Sequence, residues 1–211
     1  MSARDDVLAA VRAALGPNRE DSAGRGTAGA SGTASPVVDD RHVPPDRAAM
    51  LDLFAERVAD YRATVTRCTA ADLAATVARA LAGAGTVVLP PGLDLDVPGA
   101  VVDDGLSSAE LDRIDAVVTA SALGIAETGT VVLDHGPGQG RRAVTLLPDL
   151  HVCVVGEGSV VRDVPDAVPL LDPLRPQTWI SGPSATSDIE LDRVEGVHGP
   201  RRLHVVLVAD G

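Results

Sequence analysis

Large apolar residues are sparse in the first 45 positions of the chain. Between Val7 and Leu15 they recur at helical spacing, and Gly16 ends that pattern. Residues 17–45 are instead rich in Gly, Ala, Ser, Thr and Pro. Because so little apolar surface can be buried there, burial cannot offset the entropy lost on ordering the segment. The pattern predicts an N-terminal helix over residues 1–16 and a flexible linker over residues 17–45.

The hydrophobic pattern changes after the linker. A helix is predicted to begin after Asp46, because the apolar residues from Met50 to Tyr61 lie on one helical stripe. A further helix begins near Thr69 and ends at Gly83. The apolar stripe from Met50 to Tyr61 is typical of a surface that packs on a core or a partner, so it is not interpreted as a cofactor site.

Beyond residue 85, short apolar runs alternate with helical segments. The runs lie at residues 86–89, 101–102, 116–120, 130–133, 143–146, 151–155, 178–181 and 204–208. Several are apolar on both faces, which is typical of parallel strands covered on both sides by helices. The glycine-rich stretch Gly136–Gly140 predicts an antiparallel hairpin over residues 130–146. We therefore expect an α/β domain over residues 46–211, with a helical N-terminal part at 46–85 and a mostly parallel sheet.

The composition excludes several classes of function. The formal net charge at pH 7 is −12, and no lysine occurs among the 18 residues counted as Lys or Arg. A Schiff-base mechanism and a Walker-type phosphate loop both need a lysine. Nucleic-acid binding needs a basic surface and commonly aromatic stacking, whereas the chain has one Trp, one Tyr and one Phe. We expect no nucleic-acid partner.

The two cysteines do not indicate a metal or redox centre. Cys68 and Cys153 are far apart in sequence, and neither belongs to a Cys-x-x-Cys pair. His151 and Cys153 share a strand face, but the sequence supplies no third ligand at useful spacing. The start of the chain has no signal-peptide pattern, and no apolar run is long enough to span a membrane. We expect a cytoplasmic protein with no metal and no membrane span.

The first candidate site follows the apolar run at 178–181. Gly182 begins a turn, and Ser184, Thr186, Asp188 and Glu190 follow within ten residues. Ligands of open α/β sheets bind beyond the carboxyl ends of strands, where turns expose N–H groups to anions. Two nearby carboxylates can divide the roles of acid and base. An ordinary polar loop remains the alternative interpretation.

The second candidate site precedes the apolar run at 130–133. Glu127, Thr128, Gly129 and Thr130 place a carboxylate and two hydroxyls around a glycine. A glycine permits close approach of a small ligand. The alternative is a turn whose side chains satisfy its own backbone groups.

The third candidate site is the Gly196–Pro200 loop, and an arginine pair is a further, separate candidate. His198 lies before Gly199 in a loop, where an imidazole can donate, accept or transfer a proton. Arg142 stands in an Arg-Arg pair that can bind a carboxylate or phosphate with two hydrogen bonds. Solvent-exposed surface groups are the alternative for both. The adjacent Gly136–Gly140 stretch lies between predicted strands rather than before a helix, so it is not interpreted as a dinucleotide-binding loop.

Four segments together resemble a known family. They are Leu123–Val132, Leu147–His151, Gly182–Glu190 and Gly196–Pro200. In this order they are similar to the LUD domain of the lactate utilization proteins, in particular to proteins of the C type. The Gly-Pro-Ser-Ala-Thr-Ser-Asp-Ile-Glu block from Gly182 is the most specific part. The resemblance extends from about residue 86 to residue 208.

The resemblance implies both a fold and a role. The fold would be a three-layer α/β/α arrangement like that of the NagB, RpiA and CoA-transferase group. The role would be that of a non-redox subunit in the oxidation of L-lactate to pyruvate, which binds a small anion such as lactate or assembles with iron–sulfur partner subunits. Because this chain lacks cluster-binding cysteine motifs, we expect iron–sulfur clusters only in those partners and no cofactor in this chain.

An enzymatic alternative stays open at this point. The fold group also includes free-standing enzymes on sugar-phosphate or CoA-ester substrates, for which Glu127 or Glu190 would serve as base or nucleophile. Fold analogy alone does not decide between the two, so whether the chain is catalytic is left open. In either case we expect the candidate residues, from Glu127 to His198, to converge on a single cleft.

Overall fold

A computed structural model describes residues 46–186, 194–195 and 199–209. For residues 185, 186, 194 and 195 it describes the backbone alone. The predicted helix at residues 1–16 and the predicted linker at residues 17–45 lie outside these ranges. The helices and strands of the fold are those of the described residues.

Six parallel strands form the main sheet. They are β1 (Thr64–Cys68), β2 (Val87–Leu89), β3 (Val101–Val102), β4 (Ala116–Ala120), β7 (Leu150–Gly156) and β12 (Arg202–Val208), in the spatial order β1-β12-β7-β4-β2-β3. Every neighbouring pair in this order is parallel. The central strands are almost entirely buried, as expected for a parallel sheet covered on both faces. The predicted mostly parallel sheet is confirmed.

A smaller sheet packs beside it. It contains β5 (Leu123–Ile125), β6 (Thr130–Leu133), β8 (Val160–Val161) and β9 (Thr178–Ile180), in the order β8-β5-β6-β9. Strand β6 is antiparallel to both β5 and β9. A separate two-stranded ribbon joins β10 (Ala185–Thr186) to β11 (Val194–Glu195). These strands add an antiparallel part that the apolar runs alone did not reveal.

The helices begin at residues that cap them. Helix α1 (Arg47–Asp60) follows Asp46, whose carboxylate accepts from the N–H of Ala49 at 3.0 Å. The other helices are α2 (Leu73–Ala80), α3 (Ser108–Leu111) and α4 (Val164–Ala167), with 3₁₀ turns at Ala70–Asp72, Glu157–Ser159 and Val168–Leu170. Ser107 and Glu110 form a complete capping box before α3. No helix in this part of the chain has both the length and the apolar character that a membrane crossing demands.

The two faces of the main sheet bury different partners. On one face, Phe54 and Val58 of α1 pack with β7, β12 and the smaller sheet. On the other face, Val77 of α2 packs against β4, β7 and β12. Helices therefore cover both sides of the sheet, and the predicted three-layer α/β/α class is confirmed, with the antiparallel sheet sharing the layer of α1.

The predicted hairpin over residues 130–146 is wrong. Residues 143–146 form turns, in which Val144 N–H donates to the carbonyl of Arg141 at 3.0 Å. Val144 is nonetheless fully buried in a cluster with Val88 and Val117, so the apolar pattern reflects burial rather than a strand. The glycine-rich loop lies over the ends of β2 and β4, with Gly138 accepting from the N–H of Ala120 at 2.7 Å.

Candidate functional site

A cavity of about 220 Å³ lies between the main sheet and the smaller sheet. We call it the Arg142 cavity. It is lined by Arg142, Thr145, His151, Thr178, Trp179, Ile180, Ser181, Gly182, Pro183, Ser184, Gly199, Pro200 and Leu203. Its polar groups are one guanidinium, one imidazole and several hydroxyls. The lining carries no carboxylate among the described residues.

Two walls of this cavity come from different parts of the fold. His151 and Leu203 are the second residues of β7 and β12, so the cavity lies at the amino ends of these parallel strands. The end of β9 and the Ser181–Ser184 loop form another wall. We expected the loop after residue 181 to lie at the carboxyl edge of a parallel sheet. That expectation was wrong because β9 belongs to the antiparallel sheet.

Two adjacent arginines have different surroundings. Arg141 donates to both carboxylate oxygens of the buried Asp103, at 2.8 and 2.9 Å. This hydrogen bonding, which outweighs the opposing effect of burial, holds the pKa of Asp103 below its usual value. Arg142 instead donates to Thr145 at 3.2 Å and pairs with no carboxylate among the described residues. Its guanidinium is therefore not neutralised by any carboxylate of the described residues.

His151 is a buried, neutral group at the cavity wall. Its Nε2 lies 2.8 Å from Oγ1 of Thr119. Burial, with a smaller effect of the positive charge on Arg142, lowers the pKa of His151 to about 4. At neutral pH one of its ring nitrogens therefore carries no proton.

The second ring nitrogen of His151 reaches the cavity. Among the described residues, no fully buried side-chain nitrogen or oxygen lacks a hydrogen-bond partner. Nδ1 of His151 has no such partner there, so it is not enclosed by protein and faces the space that the ring lines. An uncompensated polar atom at a cavity wall is suited to a ligand group.

The buried thiol of Cys153 lies in an environment unlike that of a cluster ligand. Burial raises the pKa of the Cys153 thiol to about 12, although a hydrogen bond with Thr119 acts in the opposite direction. A metal ligand must be a thiolate, so this environment is unfavourable for a cluster. In the described ranges, no three His, Cys, Asp or Glu side chains are close enough to hold a metal ion.

The absence of a cofactor from this chain stays a prediction with a direct test. We expect protein purified without oxygen to be colourless and free of stoichiometric iron and acid-labile sulfide. The reason is that Cys68 and Cys153 cannot supply the four thiolates that a cluster usually needs. Elemental analysis together with a visible spectrum is the measurement. Iron and sulfide in a fixed ratio to protein would contradict the prediction.

Comparison with known proteins identifies the family. A model of the LUD domain matches residues 103–208, half of the 211-residue chain. The chain belongs to the LUD domain family. It is similar to lactate utilization protein C of Deinococcus radiodurans, which is 50% identical over 174 residues, 78% of this chain and 82% of that protein.

Other relatives match a shorter stretch of the LUD protein. Lactate utilization protein C of Bacillus subtilis is 36% identical over 116 residues, 51% of this chain. The matched part covers about half of that relative, 47% of its length. A crystal structure of a DUF162 family protein from Deinococcus radiodurans is also similar, with a TM-score of 0.69, 44% identity, and coverage of 78% of this chain and 99% of that chain.

The motif from Gly182 contributes directly to the cavity of this LUD domain. Gly182 and Ser184 line it, together with Gly199 from the loop before β12. Ser184 N–H donates to the carbonyl of Pro200 at 2.9 Å and so joins the two loops. Gly182 has a φ of +87°, and a Cβ there would lie 2.4 Å from Cβ of Tyr61. A glycine is therefore needed at this position for packing against the end of α1.

The Glu127–Thr130 motif stands behind the cavity rather than in its wall. Oγ1 of Thr130 lies 2.7 Å from Oγ of Ser181, a lining residue, and 2.7 Å from Oγ1 of Thr128. Gly129 packs against the backbone of α1. Glu127 is exposed and does not line the cavity. For this segment the geometry favours the structural interpretation, and it gives no support to Glu127 as a base for a ligand bound at Arg142.

Four of the candidate residues cannot be placed as side chains. Asp188, Glu190 and His198 lie outside the described residues. Thr186 is described only by its backbone, as part of β10. Their predicted place in a single cleft stays a prediction. Ser184 and Gly199, which flank them, both line the Arg142 cavity.

Sequence reasoning missed several polar groups in the cavity. They are Thr145, His151 and Thr178. His151 was considered only as a metal ligand, yet a histidine inside the apolar run of β7 was a usable signal. Such a residue must be hydrogen-bonded or face a cavity, because an unsatisfied buried imidazole is costly.

Proposed function

We propose that this LUD protein is a subunit of a lactate utilization system, and that its Arg142 cavity binds a small monocarboxylate such as lactate. The similarity to lactate utilization protein C of Deinococcus radiodurans supports the biological role. As the resemblance to lactate utilization proteins implies, the oxidation of L-lactate to pyruvate would then take place with iron–sulfur partner subunits. This sequence itself has no cluster-binding cysteine motif.

The observation that carries the ligand proposal is the environment of Arg142. Its guanidinium faces a cavity in which the described lining has hydroxyls and a neutral imidazole but no carboxylate. A guanidinium binds a carboxylate through charge-assisted hydrogen bonds. The volume of about 220 Å³ is below the usual range for drug-sized ligands, which favours a small anion over a CoA ester.

Replacing Arg142 by glutamine tests the site. We expect Arg142→Gln to weaken L-lactate binding by about 10- to 100-fold, because charge-assisted hydrogen bonds contribute about 1.5–3 kcal/mol. Isothermal titration calorimetry of the full chain with sodium L-lactate measures the effect. Stability should change little, since Arg142 is exposed and makes no ion pair among the described residues.

Arg67→Gln is the matched control. It removes the same charge at a position that does not line the cavity, and its ion pair with Asp52 is exposed. An exposed ion pair contributes little to stability, so the variant should remain folded. It should bind lactate as the wild type does, because residue 67 does not line the cavity. Equal binding by wild type and Arg142→Gln would refute the cavity as the anion site.

Growth tests the biological role separately. Deletion of the gene should abolish growth on lactate as carbon source, and expression of the wild-type chain should restore it. Restoration by Arg67→Gln but not by Arg142→Gln would link growth to the cavity. Normal growth of the deletion strain on lactate would contradict the proposed role.

A further inference from the structure

A chain of hydrogen bonds leads away from the Arg142 cavity into the core. Nε2 of His151 lies 2.8 Å from Oγ1 of Thr119. That hydroxyl lies 3.5 Å from Sγ of Cys153, and Sγ lies 3.9 Å from the carbonyl oxygen of Ala120. All three side chains are at least 99% buried, so water does not substitute for these partners.

The last acceptor in this series of hydrogen bonds decides which group donates in each of them. The Ala120 carbonyl can only accept, so the Cys153 thiol donates to it. The thiol keeps its proton at neutral pH because burial raises its pKa to about 12. The sulfur then accepts from the Thr119 hydroxyl, and that hydroxyl accepts in turn from Nε2–H of His151. The one proton of the neutral imidazole is thereby held on Nε2.

Nδ1 of His151 is consequently a hydrogen-bond acceptor at the cavity wall. Burial, with a smaller effect of the positive charge on Arg142, opposes protonation of the ring and keeps Nδ1 bare. At the ring of His151, a ligand held at Arg142 by its carboxylate thus meets an acceptor and not a second donor. A ligand hydroxyl can donate to Nδ1, whereas a ketone oxygen there would place two acceptors against each other.

We propose that His151, oriented by Thr119 and Cys153, makes the Arg142 cavity selective for 2-hydroxy monocarboxylates over the corresponding 2-oxo acids. This selectivity rests on the proposed function, since it assumes a small carboxylate bound at Arg142. The cavity would then bind the reduced acid, which lactate oxidation consumes, more tightly than the oxidised product.

Binding of three probes tests the selectivity. Isothermal titration calorimetry of the full chain is carried out with L-lactate, pyruvate and propionate, which share a carboxylate and differ at the second carbon. L-lactate should bind about tenfold more tightly than pyruvate, because the ketone leaves the acceptor on His151 unsatisfied. Propionate should also bind more weakly than L-lactate. Equal or tighter binding of pyruvate would overturn the proposal while leaving the anion site intact.

Thr119→Val tests the orienting contact. It removes the hydroxyl with little change of shape, and Thr119 does not line the cavity, so binding at Arg142 should remain. The preference for L-lactate should fall to within about twofold, because nothing then holds the proton on Nε2. Thr66→Val is the matched control, since Thr66 bonds Nε2 of His204 at 2.9 Å outside this cavity. An unchanged preference for L-lactate in Thr119→Val would count against the orientation of His151 by Thr119.

Nitrogen-15 NMR of the wild-type imidazole provides a readout that does not depend on any ligand or variant. A protonated ring nitrogen and a bare one have distinct chemical shifts. We expect Nε2 of His151 to carry the proton and Nδ1 to be bare at neutral pH. A proton on Nδ1 would overturn the proposed orientation of His151 by Thr119 and Cys153. If instead the expected tautomer is found but neither L-lactate nor pyruvate binds, the proposed function fails and the selectivity for these acids fails with it.

Discussion

Replacement of Gly129 by alanine should destabilise the protein by about 3 kcal/mol, the combined effect of a left-handed backbone and overpacking. Gly129 has a φ of +58°. A Cβ there would lie 2.5 Å from the carbonyl carbon of Arg57 and 2.6 Å from the backbone nitrogen of Val58. Both atoms belong to the backbone of α1, so no side-chain rotation can relieve the contact. Urea denaturation of the purified variant measures the loss.

Gly99→Ala separates the two causes. Gly99 has a φ of +78°, but nothing lies within 4 Å of its virtual Cβ. This variant should lose only about 1–2 kcal/mol, from the left-handed conformation alone. Equal losses in the two variants would show that contact with α1 contributes nothing, and would reopen ligand access as the reason for a glycine at position 129.

Stability should depend on pH through His151. Burial lowers the pKa of His151 in the folded protein to about 4, from an ordinary value of 6.5. Between these values the unfolded chain binds a proton at this residue and the folded protein does not. Stability therefore rises with pH across that window and is lost as pH falls from 6.5 to 4. The full shift corresponds to about 3 kcal/mol. Urea denaturation at several pH values measures it.

His151→Gln isolates the contribution of this residue. The free energy of unfolding of the variant should change much less between pH 6.5 and pH 4 than that of the wild type. His204 also has a lowered pKa because of burial, and it remains in both proteins. Its effect therefore cancels in the comparison. Parallel pH profiles in the two proteins would contradict the assignment of a buried neutral imidazole.

The central parallel strands were predictable because most of their residues meet one physical condition. Strands β4 and β7 are covered on both faces, so most of their successive residues are apolar. The segment at 143–146 has a similar apolar pattern, but Val144 enters the core from a turn. Apolar residues report that a position is buried and do not report which backbone conformation buries it.

The candidate site was predictable only in part. A glycine turn with hydroxyls after an apolar run predicted a site at Gly182 and Ser184, and both residues line the cavity. The same reasoning favoured Glu127, which is exposed and lies outside the lining. A motif can be specific to a family because of packing, as at Gly129 against α1, and its sequence alone does not separate packing from chemistry.

By itself the sequence determined the α/β class, the family, and the lack of any lysine or clustered cysteines for chemistry. Only the tertiary structure decided which polar groups meet. Arg141 and Arg142 are chemically identical neighbours, and no local pattern ranks them. Asp103, from the end of β3, binds Arg141, whereas Arg142 faces the cavity beside His151. The choice depends on where distant segments place their charges, because a buried carboxylate must be paired and Asp103 lies within hydrogen-bond distance of Arg141 alone of the two.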